Sequence, residues 1–334
     1  MTKSEAKKNR KRRKIFLSLI MILFLGILLM TSTYAWFTAN RSVTVESIDV
    51  NVSTSQGLQI SVDAANWKSV VTNEDIIGAS WTGVANQLPQ GQNTLSPVSS
   101  IGEIDSATGF MNMYKGSVET DLTTGSNILV AEKSTETKGT SGDFVAFDLF
   151  FRTSQAETVY LTSNSSVVAK GTDKGIKNAS RVAFIKEGSV GYAASATEAK
   201  ALKNGTLAMI WEPNYDVHTA SGVANALNVY GITVGQTGAA KQTYMGVKAP
   251  IAAANKVALN SKSTTYFGNV TTVGSVAAGI PESSYVNAFS LSEGITKVRI
   301  YMWIEGQDVD CEDHASGTSI TYNLQFSIDS SAND

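Results

Sequence analysis

The chain has 334 residues, 43% of them hydrophobic and 17% charged, enough apolar material for a large core and too much for a disordered tail protein. Residues 1–14 hold eight Lys or Arg against one Glu, so the other 320 positions carry 19 basic and 28 acidic groups, a balance of −9 against −2 for the whole. An acidic body excludes nucleic acid as a partner, because phosphate binding needs a basic face. The 38 Ser and 33 Thr, with only five Pro, suit strands and polar loops better than helices. One cysteine, Cys311, rules out an internal disulfide and any multi-cysteine metal site.

Lys7 to Lys14 run into an apolar stretch over 15–30 interrupted only by Ser18 and Gly26. As a helix it spans about 24 Å, short of a roughly 30 Å hydrocarbon core. This fits the apolar region of a signal peptide, with Thr33-Tyr34-Ala35 as the cleavage signal and Trp36 as the first mature residue. Extension through Trp36 and Phe37 to a 23-residue span with an outer aromatic belt gives the alternative, a membrane anchor over 15–37. Both readings keep the basic cluster in the cytoplasm and export the rest, to the cell surface or beyond.

From residue 42 the period becomes two. Val43 and Val45, then after a one-residue slip Ile48, Val50 and Val52, predict a long strand over 42–53 broken by a bulge. Leu58, Ile60 and Val62 predict a second strand, and further strands are expected at 110–114, 128–131, 144–151, 158–162, 182–185, 207–211, 298–304 and 319–328. Phe151, Tyr301 and Trp303 fall at alternating positions that core packing explains. One helix is expected, at about 193–203, ended by Asn204-Gly205. Residues 213–292 hold only six charges and read as a large, partly β insertion. The expected architecture is an all-β sandwich over 36–334 carrying that insertion, preceded by a signal or transmembrane helix at 1–35.

Thr33-Tyr34-Ala35-Trp36-Phe37-Thr38 resembles the signal-peptide junction of the TasA/camelysin family of Gram-positive bacteria. Val43–Val52 is similar to that family's first strand, the segment from Gly142 to Phe151 to its central strand, and that from Ser319 to Ile328 to its closing strand. The resemblance implies a jelly-roll fold, processing by a dedicated signal peptidase, and assembly with other copies into surface or biofilm-matrix fibres by exchange of the N-terminal strand. A free apolar-alternating strand can complete another subunit's sheet, or pair within its own sandwich.

No H-E-x-x-H accompanies the two histidines, His218 and His314, and Gly-x-Ser-x-Gly is absent, so neither a zinc peptidase nor a serine hydrolase is signalled. The acidic stretch 305–314 offers Glu305, Asp308, Asp310 and Asp313 as calcium ligands without the EF-hand spacing, and reads foremost as a solvated turn. Cys311 within it reads as a packed thiol or as an intermolecular disulfide. The Asn-x-Ser/Thr sequons are chance products of a Ser/Thr-rich chain. The expected function is a non-enzymatic fibre subunit without cofactor. A surface adhesion or binding module is the alternative, and a surface peptidase the third reading.

Overall fold

A computed structural model describes residues 42–328 except 53–56, 81–85, 89–93, 140–141, 204, 282–283 and 313–314. The basic cluster, the apolar run, Ala35, Trp36, Asp313 and His314 therefore lie outside the described residues. Among the described residues no helix is long and apolar enough to cross a membrane.

In chain order the strands are β1 (Val43–Val52), β2 (Gln59–Ser61), β3 (Val70–Val71), β4 (Thr94–Leu95), β5 (Val98–Ser99), β6 (Met113–Thr120), β7 (Asn127–Ser134), β8 (Val145–Thr153) and β9 (Glu157–Leu161). They continue as β10 (Ser166–Lys170), β11 (Ser180–Val190), β12 (Thr206–Glu212), β13 (Tyr244–Val247), β14 (Phe267–Val270), β15 (Val273–Gly274), β16 (Val286–Leu291), β17 (Gly294–Ile304) and β18 (Ser319–Ser327). Short helices α1 (Asn73–Ser80), α2 (Ala196–Ala201) and α3 (Ala220–Asn225) punctuate them.

The fold is mostly β. One sheet runs β16-β9-β18-β1-β3, with β10 also on β18 and β4 on β1; the other runs β15-β12-β11-β17-β8-β2. A single core joins them, with Ile48, Val50, Leu324 and Phe326 from the first sheet and Phe147, Phe151, Phe184 and Ile300 from the second. Phe151, Phe184, Phe289 and Phe326 pack at centroid distances of 5.1–6.0 Å, within the range of favourable ring contacts.

β1 has the anticipated bulge, between Val45 and Ser47. Val43, Val45, Ile48 and Val50 are buried, and Val52 packs against the same core. The strand lies parallel to β18, from Thr44 opposite Ser319 to Val52 opposite Phe326, and antiparallel to β3 and β4. Here it pairs within its own sandwich.

The outer face of the second sheet is also covered. β17 is buried at every position, because Tyr301 and Trp303 point away from the main core into a second one shared with Val98, Met111 and Met113. The covering layer combines β5-β6-β7 with the β13-β14 hairpin, joined through Tyr114, Leu129, Val247 and Phe267. The 213–292 boundary needs correction: β15 and β16 lie inside it, yet β15 pairs with β12 in the second sheet and β16 with β9 in the first. The expected helix shrinks to α2, capped by a Ser195/Glu198 box. It ends where Leu202 turns extended, and Gly205 beyond it sits against the β11 backbone, where a Cβ would fall 2.5 Å from the Lys186 carbonyl oxygen.

Candidate functional site

The acidic segment after β17 is not a solvated turn. Glu305, Asp308, Asp310, Cys311 and Glu312 are all buried, because the chain from 213 onward folds over them. Buried carboxylates need partners, and these come from distant segments. Arg181, on the covered face of β11, bonds Asp308 at 2.5 Å and Glu212, the last residue of β12, at 2.7 Å. Its other terminal nitrogen donates to the carbonyls of Asn178 and Ser180. Asp310 contacts His218 Nδ1 at 2.7 Å and accepts the Thr219 amide and hydroxyl, each at 2.9 Å. Glu305 accepts Trp303 Nε1 at 3.0 Å and the Gln307 amide at 3.1 Å.

The three described calcium candidates thus turn to separate protein partners rather than to a common centre. Among the described residues no group of three or more His, Cys, Asp or Glu is placed to hold a metal ion. Cys311 belongs to the main core, which removes it from contact with any neighbouring molecule.

The electrostatics follow from one guanidinium serving two carboxylates. Burial pushes the Asp308 carboxyl up to about 6; Arg181 opposes this and the charge of Asp310 adds to it. Burial raises Glu305 also. For His218 burial works against the charged form, but the bond from Asp310 and the charges of Asp308 and Glu212 outweigh it, and its pKa is raised.

Beside this network lies a cavity of about 480 Å³. Arg181, Glu212, His218, Gln307 and Asp308 form its charged and polar floor, and Tyr215, Tyr230 and Tyr244 stand in its walls. The Arg181 guanidinium lies 5.4 Å from the Tyr244 ring centre, a cation–π distance. Asn260, Lys262 and Asn269, all exposed, lie at the rim.

No family model, curated protein or solved structure matches this chain. Its function is therefore read from the site and the sheet alone.

Sequence reasoning singled out Asp308, Asp310 and Glu305 but not Arg181, Glu212 or the three tyrosines. The usable signal was the low charge of 213–292, where Tyr215, Tyr230 and Tyr244 stand in a segment with almost no surface charge of its own.

Proposed function

We propose that this chain is an exported, non-enzymatic structural subunit of cell-surface or biofilm-matrix fibres, assembled by exchange of β1 between copies. The observation that carries the reading is the place of β1: it fills the gap between β18 and the short strands β3 and β4, bonded to a partner far away in sequence. An identical strand from another copy fits the same gap, and head-to-tail swapping of one element gives an open chain of subunits. A parallel ladder is slightly weaker per residue than an antiparallel one, which makes this joint the natural one to open.

The jelly-roll expectation has support from strand order. Among β1, β8, β9, β11, β12, β16, β17 and β18, the first, third, sixth and eighth share one sheet, and the other four share the second. That interleaving is the double-sheet pattern of jelly rolls, which are antiparallel throughout. β1 departs from it by running parallel to β18.

Withdrawing β1 exposes four fully buried aliphatics, worth roughly 1.5–3 kcal/mol each as an upper bound. An empty groove is therefore costly, and exchange must replace one β1 by another. Asp49 stands opposite Asn323 across the β1–β18 ladder, so Asp49→Cys with Asn323→Cys tethers the strand to its own sheet. On protein processed at Ala35, electron microscopy is expected to show fibres under reducing conditions and none when the tether is closed beforehand. Equal fibre formation by the closed form rejects the proposal.

A further inference from the structure

We propose that the cavity beside the 305–312 segment is a binding site for a neutral saccharide of one or two rings. The site is independent of strand exchange, since β1 contributes nothing to its lining.

Size is the first constraint. About 480 Å³ lies within the roughly 300–1,000 Å³ of small-molecule pockets and is far more than a few waters fill. The walls are the second. Tyr215, Tyr230 and Tyr244 offer ring surface to the apolar face of a sugar, the latter two fixed by hydroxyl bonds to Gln307 and to the Ser100 carbonyl. Tyr215 is held in a fixed plane, because its ring lies against Gly274 so closely that a Cβ there would come within 2.2 Å of it.

The hydrogen-bonding inventory decides the ligand class. Gln242, Thr243, Asn260, Ser261 and Asn269 line the cavity with neutral side chains that both donate and accept, and all five are exposed or partly exposed. The Glu212 and Asp308 carboxylates add acceptors already fixed by Arg181.

A lining that mixes fixed donors and acceptors suits hydroxyl groups, which do both. An anion would face Glu212 and Asp308 with Asp310 behind them, opposite one guanidinium that is already engaged. A cation would meet that guanidinium and Lys262 at the rim. An apolar ligand would displace water from the amides and hydroxyls of the lining without replacing its hydrogen bonds.

The full chain is screened against an array of neutral, acidic and amino saccharides, and the best neutral ligand is titrated by calorimetry. Tyr215→Ala is expected to weaken binding roughly tenfold through lost stacking. The rim variant Asn269→Ala, at an exposed position that does not hold the fold, is expected to weaken it several-fold with an unchanged circular-dichroism spectrum. The variant tethered through Asp49→Cys and Asn323→Cys keeps wild-type affinity, which separates this site from fibre assembly. The proposal is overturned if wild type binds no neutral saccharide at millimolar concentration, if only charged saccharides bind, or if both cavity variants bind as wild type does.

Discussion

His218 Nδ1 lies 2.7 Å from Asp310 Oδ2, across 92 residues of sequence, and this contact fastens the chain after β12 to the segment after β17. Asp310 in turn accepts from Thr219, the residue that caps α3, so one carboxylate holds both the ring and the start of the helix. The acidic segment is thereby converted from a surface feature into an internal strut. Its charge balance governs how the region responds to mutation and to pH.

Arg181 is the cation on which that balance depends. Arg181→Leu keeps an apolar stem but leaves Glu212 and Asp308 buried without their shared partner, which costs about 3–5 kcal/mol when one side of a buried pair is removed. Denaturant unfolding is expected to show that loss in Arg181→Leu. Adding Glu212→Gln and Asp308→Asn to the same chain should restore much of it, because neutral amides have no charge to compensate. A triple variant as unstable as the single one would mean that Arg181 acts through its carbonyl bonds to Asn178 and Ser180 instead.

Stability should rise as pH falls from 8 towards 5, the reverse of ordinary acid denaturation. Burial pushes Asp308 up to about 6 in the fold from an ordinary 3.8, so between those values the native state binds more protons than the unfolded chain and stability declines as pH rises. Glu305 and Glu136, raised by burial, act in the same direction. His218, also raised, contributes stability that is complete below its unfolded pKa and lost as pH climbs through its higher folded value. Below about pH 4 the trend reverses, because Asp63 and Asp121 are held down to about 2 and lose their stabilising bonds on protonation. Thermal unfolding across pH 3–8 checks this. Asp308→Asn should flatten the slope between 4 and 6, and an unchanged slope would assign it to other carboxylates.

How legible all this was depended on whether a contact is local. β1 and its bulge, β8, β17 and β18 follow from alternation, since one face of each strand meets the main core. The alternation at Tyr301 and Trp303 was visible too, although it could not reveal that their face is covered by residues 94–139 and the β13-β14 hairpin. β16 escaped notice because Val286–Leu291 mixes Asn, Ala and Ser into a short run inside a segment of uniformly low charge. The burial of 305–312 was illegible for a stronger reason. A row of carboxylates is stable inside only if cations and donors reach it from elsewhere, and Arg181, His218 and Thr219 lie 91 to 127 positions away.

Gly222 offers the sharpest test of the strut. It lies in α3, where replacing glycine by alanine ordinarily gains about 0.5–1 kcal/mol from backbone entropy. Here the added Cβ would fall 2.2 Å from Asp310 Oδ1 and 2.9 Å from its Cγ. That carboxylate is held by His218, Asn178 and both groups of Thr219, so it cannot swing aside without breaking several bonds. Gly222→Ala is therefore expected to destabilise by about 1–3 kcal/mol, the usual cost of overpacking, with the opposite sign to helix propensity. It should also lower the His218 pKa, because displacing Asp310 removes the bond that holds the ring's proton while burial remains. Histidine titration by NMR reads this shift separately from stability. If Gly222→Ala is more stable than wild type and His218 titrates unchanged, then the carboxylate is free to move and the strut does not exist.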